Sequence, residues 1–176
     1  MTGIVRLGPD DWELHRAIRL EALRTAPDKY STRHEDMVDQ PEAWWREVMG
    51  RNRYFYARLG GDVVGLAGLA TPTGKAVSGA DRGAAFAEAL PAGAGMLISV
   101  FVSASARGQG LGEKLSSAVI GQARAEGLAK LFLDVAEHNA VARGIYARLG
   151  FVLTGKSRPA ECIGSTHEEL EMALTL

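Results

Sequence analysis

A glycine-rich turn at residues 107–112 carries the residues whose types and spacing most directly indicate chemistry. The turn reads Arg-Gly-Gln-Gly-Leu-Gly and lies between an apolar run at 96–102 and a segment with helical apolar spacing from Leu111 to Ala123. A strand, a glycine turn and a helix start together form a site for an anionic phosphate, because unpaired N–H groups point out of the helix terminus. The missing Cβ atoms also let a phosphate approach the backbone.

Two common phosphate motifs do not account for this turn. The dinucleotide fingerprint requires G-x-G-x-x-G, whereas Glu113 stands where the third glycine belongs. The nucleotide P-loop pattern G-x-x-x-x-G-K-S is matched elsewhere, at residues 150–157. That stretch has an apolar middle typical of a strand that follows a helix, whereas a P-loop connects a strand to a helix. We therefore assign neither motif.

A second group of residues follows the next apolar run, 131–135. Asn139 has the type and position of a helix N-cap, and Gly150 suits the position just past the end of that helix. Asn139 and Tyr146 are seven residues apart, about two helical turns, so they lie on roughly one face. The sequence therefore predicts that an amide and a phenol face the same region.

The two blocks together resemble the GCN5-related N-acetyltransferase (GNAT) family. Residues 107–112 are similar to its acetyl-CoA signature, Arg/Gln-x-x-Gly-x-Gly/Ala, and residues 139–151 to its pattern Asn…Ile-Tyr-x-x-x-Gly-Phe. The resemblance implies an α/β fold of the GNAT type, with a mixed central sheet of six to seven strands and about four flanking helices. It also implies that the two central parallel strands splay apart.

The resemblance further implies how the site binds acetyl-CoA. The pantetheine arm would insert between the splayed strands, and the pyrophosphate would lie on the amides of residues 107–112. Tyr146 matches the family's position for the acid that protonates the leaving thiolate, and Asn139 matches a position that contacts the cofactor arm. The implied cofactor-binding residues are Val100, Phe101, Val102, Arg107, Gly108, Gln109, Gly110, Leu111, Gly112, Asn139 and Tyr146, with Tyr146 as the catalytic residue.

Each of these roles has a structural alternative, and the general base is left open. Tyr146 could simply pack its ring on the sheet, Asn139 could only cap its helix, and Arg107 could be a solvated turn residue. The first central strand offers only Ser99 between apolar residues, so no carboxylate base is visible there. A water relay is one source of the base, and the side-chain candidates elsewhere are Asp134, Glu137, His138, Glu35 and Asp36.

The elements that position these residues can be read along the rest of the chain. The patterns predict a strand at 4–7, a helix capped near Asp10 and ended by Pro27, a second helix from Pro41, and a hairpin of 54–59 with 62–70. In the family, the loop between the first two helices forms one wall of the acceptor site. Residues 71–95 exceed the expected short turn, so we expect a mobile insertion with a short helix at 84–90. Residues 169–174 alternate like an edge or crossing strand, which leaves a homodimer possible.

Composition limits the remaining function classes. The length of 176 residues predicts one domain, 1–176, and the net charge of −1 argues against nucleic acid or anionic membrane as partners. The single cysteine, Cys162, fits a reducing cytoplasm, and the four histidines lack metal-ligand spacing. We therefore expect a cytoplasmic acetyl-CoA-dependent N-acetyltransferase without a metal, acting on a small-molecule or peptide amine by direct transfer in a ternary complex. The alternative is a non-catalytic acyl-CoA-binding module on the same fold.

Overall fold

A single seven-stranded mixed sheet organises the part of the chain that the computed structural model describes, residues 2–75, 80, 82–161, 164 and 166–176. The strands, in the spatial order β1-β2-β3-β4-β5-β7-β6, are β1 (Thr2–Arg6), β2 (Arg53–Leu59), β3 (Asp62–Ala70), β4 (Ala94–Val102), β5 (Lys130–Ala136), β6 (Val152–Pro159) and β7 (Glu168–Thr175). Only β4 and β5 pair in parallel, and every other neighbouring pair is antiparallel. The predicted α/β class and strand number are confirmed.

Six α-helices flank the sheet in the described residues, where about four were expected. They are α1 (Trp12–Thr25), α2 (His34–Val38), α3 (Glu42–Arg51), α4 (Arg82–Glu88), α5 (Leu111–Ala125) and α6 (Ala140–Arg148). The two short helices, α2 and α4, account for the difference. A segment of five residues shows too little periodicity for α2 to be predicted, whereas α4 corresponds to the short helix expected in the insertion. None of the described helices is long and apolar enough to cross a membrane.

The helices pack on two opposite faces of the sheet. Leu111 and Leu115 of α5 pack with Leu133 of β5 in one buried cluster, which also includes Tyr146 of α6. Ile18 of α1 packs in a second cluster with residues of β2, β3, β4 and α4. Each fully buried leucine of this kind contributes roughly 1.5–3 kcal/mol to the free energy of unfolding. The sheet thus separates the α5–α6 side of the molecule from the α1–α4 side.

The central strands β4 and β5 diverge, as predicted. Their parallel pairing runs only from Ala94 with Lys130 to Met96 with Phe132, although both strands continue beyond it. On its other side, β4 has a register shift against β3 between Leu66 and Gly68, and Ser99 takes a positive φ of 58° there. An extra residue in one strand bends that strand and increases its twist. The bulge therefore turns β4 away from β5 and opens a wedge.

The C-terminal strand decides between the two expected positions. Residues 169–174 were expected to form an edge or crossing strand, and β7 lies between β5 and β6 and pairs with both. The edge alternative is therefore wrong. The reason is that β6 comes first in the chain but takes the outer position, which leaves the inner position to β7.

The long segment between β3 and β4 is partly ordered around α4. The helix begins and ends two residues earlier than the predicted 84–90. The Glu88 carboxylate accepts hydrogen bonds from the backbone N–H of Thr73 (2.8 Å) and of Gly74 (2.9 Å). Residues 76–79 and 81 lie outside the described residues, so the mobility of this insertion stays a prediction.

Candidate active site

The wedge between β4 and β5 is continuous with a cleft of about 760 Å³. Its walls come from the diverging strands, from the glycine turn before α5, from α6, and from Tyr30 and α4 on the other side of the sheet. The cleft therefore passes from one face of the sheet to the other through the gap between the strands. No group of three His, Cys, Asp or Glu side chains in the described residues could hold a metal ion.

The glycine turn presents a helix N-terminus to this cleft. Gly108 and Gly110 have φ values of 76° and 71°, and Gly110 is the N-cap of α5. The first intrahelical hydrogen bond runs from Lys114 N to Gly110 O, so the amides of residues 111–113 have no helical acceptor. Gly112 is also among the lining residues, whereas Gln109 is exposed and is not. Leu111 lines the cleft but buries its side chain in the core, so it contributes backbone.

Arg107 is tied to the end of β4. Its Nε donates a hydrogen bond to the backbone oxygen of Val102 at 3.1 Å, and the residue stays exposed. This bond uses one of the five N–H donors of the guanidinium. The others are available to an anion at the glycine turn.

The open edge of β4 exposes backbone groups that β5 does not pair. The Tyr30 hydroxyl donates to the Val100 oxygen at 2.8 Å, and Arg107 donates to that of Val102, so these two residues direct their backbone away from β3. Phe101 alternates with them: it pairs with Leu66 of β3, and its backbone lies on the β3 side. All three residues line the cleft, but only Val100 and Val102 offer main-chain groups at the open edge.

Tyr146 of α6 lies in the cleft wall with its ring edge-on to Phe151. Among the described residues its hydroxyl has no hydrogen bond partner. Burial raises the pKa of Tyr146 above its ordinary value, and the nearby Tyr30 adds to the shift. The phenol is therefore protonated at neutral pH and can act only as a donor toward an anionic partner.

Asn139 is the N-cap of α6, as predicted. Its Oδ1 accepts a hydrogen bond from the Ala142 backbone N–H at 3.2 Å. The cap does not use the side-chain NH₂ group, and Asn139 lines the cleft. Capping and ligand contact are therefore compatible for this residue.

The structure places only one of the five predicted base candidates in the cleft wall. Asp134 is there, with its carboxylate 3.0 Å from Arg158; burial raises the pKa of Asp134, and the Arg158 charge opposes that rise. The other four candidates are exposed and do not line the cleft: Glu35, Asp36, Glu137 and His138.

A second carboxylate, which the sequence analysis did not single out, lies in the cleft wall. Glu169 of β7 is 7% exposed, and its Oε1 lies 3.3 Å from Nε2 of His167. Burial raises the pKa of Glu169, while the hydrogen bond to His167 acts in the opposite direction. Alternation along residues 169–174 was the only signal in the sequence, and it does not distinguish a solvated face from a cleft.

Comparisons with known proteins identify a family and a fold. Residues 15–151 match the family model of the acetyltransferase (GNAT) family. Over 58 residues the chain is 41% identical to the L-methionine sulfoximine/L-methionine sulfone acetyltransferases of Pseudomonas paraeruginosa and Pseudomonas aeruginosa. That match spans only 33% of this chain and 34% of the relative's length.

Solved structures resemble the fold over nearly the whole chain. The ribosomal-protein-alanine N-acetyltransferase of Brucella melitensis is 24% identical, with a TM-score of 0.74 and 99% of both chains covered. The protein yncA of Salmonella typhimurium, in a structure with its cofactor acetyl-CoA, is 22% identical; its TM-score is 0.73, with 100% of this chain and 94% of that chain covered. At these identities the likeness establishes the architecture.

Proposed function

The chain belongs to the acetyltransferase (GNAT) family, and we propose that it transfers the acetyl group of acetyl-CoA directly to an amine in a ternary complex. One observation carries the proposal. A single cleft joins the helix N-terminus of the glycine turn, the unpaired edge of β4 and the hydroxyl-bearing Tyr146. A donor with phosphates at one end and a thioester at the other needs these three groups in this order along its length.

The donor is bound mainly by backbone in this proposal. The pyrophosphate lies on the amides of residues 111–113, where the helix dipole favours negative charge, and Arg107 adds a cation. The pantetheine arm runs along β4 and pairs with main-chain groups of Val100 and Val102, as an added strand would. Asn139 offers its NH₂ group to the same arm.

The proposed acetyl transfer develops negative charge first on the thioester oxygen and then on the leaving sulfur. The neutral amine nitrogen attacks the thioester carbon, and an N–H group of the open β4 edge donates to the carbonyl oxygen as it becomes negative. The C–S bond then breaks with its electron pair going to sulfur, and Tyr146 donates a proton to that sulfur. A thiol has a pKa of about 8.5, below that of the buried phenol, so the phenolate must recover a proton from the nitrogen. Overall, nitrogen loses one proton and sulfur gains one.

Glu169 is the base that we favour for generating the neutral amine. Of the two carboxylates among the described lining residues, Asp134 is already paired with Arg158. Burial makes the Glu169 carboxylate a stronger proton acceptor than an exposed one. No histidine is among the described lining residues to activate a serine there, which favours direct transfer over an acyl-enzyme.

The alternative is a non-catalytic acyl-CoA-binding module on the same fold. The acceptor class also belongs to the proposal: we expect a small-molecule or peptide amine. The relatives named above act on L-methionine sulfoximine and L-methionine sulfone, which supports a small amine. We further propose a cytoplasmic location and no resident metal.

The Tyr146→Phe variant tests the mechanism. Free thiol release from acetyl-CoA is measured with a panel of amines, and we expect kcat to fall by about 10²–10⁴-fold while the Kd of acetyl-CoA is unchanged. Tyr56→Phe is the matched control, because Tyr56 is fully buried in the core and does not line the cleft. Unchanged activity in Tyr146→Phe would remove its acid role.

Binding of the donor is tested separately. Acetyl-CoA should raise the Tm of the wild-type protein, because a ligand that binds only the native state stabilises it. A shift in Tm without turnover of any amine would favour the non-catalytic module. No shift at millimolar acetyl-CoA would refute the donor site itself.

A further inference from the structure

A buried arginine without a counter-charge lines the cleft on the α1 side of the sheet. Arg19 is 6% exposed, and its Nη1 has no hydrogen bond partner within the described part of the chain. No ion pair to Arg19 occurs there either. A guanidinium remains protonated in proteins, and a buried charge is unfavourable unless it is paired. Within the described residues, the Arg19 guanidinium therefore has no anionic partner.

The neighbours of Arg19 do not supply that anion. Its guanidinium carbon lies 4.9 Å from the centroid of the Tyr30 ring, and burial raises the pKa of Tyr30 to about 12, so the phenol is neutral. His15, one helical turn earlier, is also uncharged because burial lowers its pKa to about 3.

The cleft as a whole has an excess of positive charge. Its described lining residues comprise six basic side chains (Arg19, Lys29, Arg82, Arg107, Arg148 and Arg158) and two acidic ones (Asp134 and Glu169). Arg82 and Arg148 pair with acids elsewhere, and Arg158 pairs with Asp134. Glu169 is hydrogen bonded to His167. Neither acidic lining residue pairs with Arg19.

The position of Arg19 indicates which ligand supplies the anion. Arg19 lies on α1, which packs against β3 and β4 on the face opposite α5, whereas the helix N-terminus that suits the pyrophosphate belongs to α5. Tyr30 connects the two regions, since its ring is under Arg19 and its hydroxyl bonds to Val100 at the open edge. An anion on Arg19 would thus lie across the strand gap from the donor phosphates.

We propose that Arg19 binds a carboxylate of the acceptor, so that the enzyme's acceptors are amines that also carry a carboxylate, as free amino acids do. The proposal rests on the acetyl-transfer function proposed above. A guanidinium can donate two parallel N–H bonds to a carboxylate, which orients the bound molecule as well as holding it. Arg19 is then a specificity-determining residue, and the carboxylate it holds positions the amine near the open edge of β4.

The test compares matched acceptors on the intact protein. Acetylation of a panel of L-amino acids is measured against the corresponding carboxamides, which keep the amine but lack the negative charge. Wild-type enzyme should prefer the acids by about 10- to 100-fold in kcat/KM, the range expected for losing a hydrogen bond to a charged group. Arg19→Gln should abolish this preference by lowering kcat/KM for the acids alone, and Arg19→Lys should restore part of it.

The outcomes separate this proposal from the proposed function. Equal turnover of acids and amides by the wild type overturns the carboxylate site and leaves acetyl transfer standing. Turnover of neither also overturns the carboxylate site, and acetyl transfer is then decided by the wider amine panel used for Tyr146→Phe. If Arg19→Gln raises the KM for acetyl-CoA and keeps the acid preference, the anion is a donor phosphate and the proposal is wrong. The ratio of kcat/KM for acids to kcat/KM for carboxamides is measured on the wild type alone, so the test holds even if Arg19→Gln does not fold.

Discussion

Protonation of His15 should destabilise the protein by an amount that the structure lets us calculate. The side chain is fully buried, its Nδ1 lies 2.7 Å from the Tyr56 hydroxyl, and its ring packs at 4.4 Å from that of Tyr54. Burial first, and then the charge of Arg19, lower the pKa of His15 from 6.5 to about 3. The native state therefore keeps this histidine neutral over most of the acidic range.

The sign of the effect follows from proton binding in the two states. Between the unfolded pKa of 6.5 and the folded value of about 3, the unfolded chain binds more protons at this position. The free energy of unfolding therefore falls as pH decreases through this window. One pKa unit corresponds to about 1.36 kcal/mol, so His15 alone should remove about 2 kcal/mol between pH 8 and pH 5.

Urea unfolding at these two pH values, followed by tryptophan fluorescence at constant ionic strength, measures the effect. The control is His15→Gln, which cannot titrate and keeps a polar group opposite Tyr56. The variant is expected to be less stable at pH 8, but its stability should fall by about 2 kcal/mol less than that of the wild type on acidification. If both proteins lose the same free energy between pH 8 and pH 5, His15 is not the neutral buried group described above.

Two further variants test the donor site and the base. In Gly112→Ala the new methyl group would lie 3.7 Å from Cδ1 of Ile145, an ordinary contact, so the helix should tolerate it while the Kd of acetyl-CoA rises about tenfold or more. Gly121→Ala, in open space on the same helix, should stabilise α5 by roughly 0.5–1 kcal/mol without weakening binding, and equal binding by the two variants would contradict the phosphate site. Glu169→Gln should lower kcat by about 10²-fold or more, whereas Glu171→Gln, on the same sheet face but outside the cleft wall, should not. A matching loss in both glutamine variants would indicate a general charge effect instead.

Local features were predictable because each depends on residues close together in the chain. Gly60 and Gly61, both at positive φ, form the turn of the predicted hairpin. The side chain of Asn139 caps α6 by accepting a hydrogen bond from the backbone amide three residues later in the chain. Residues 152–159 form a strand after a helix, so the P-loop pattern there lacks the strand-to-helix connection that a P-loop requires. Such conformations follow from the backbone preferences and capping groups of a few neighbours.

The acceptor side of the cleft could not be predicted in this way. Arg19 and Glu169 are 150 positions apart, and only the strand order brings them to one cleft. Arg19 sits among apolar residues on α1, which gives no hint that it lines a cavity. Glu169 faces the cleft because β7 lies between β5 and β6. The alternation of residues along the strand does not predict that position in the sheet.

By itself, the sequence predicted the donor site that we propose. The prediction rests on the turn at residues 107–112 and the helix from Asn139 to Tyr146, because a helix N-terminus and its cap are local structures. The tertiary structure decided the proposed acceptor site. Which buried charges meet in the gap between β4 and β5 depends on the bulge at Ser99 and on long-range strand pairing, and neither of these is set by neighbouring residues alone.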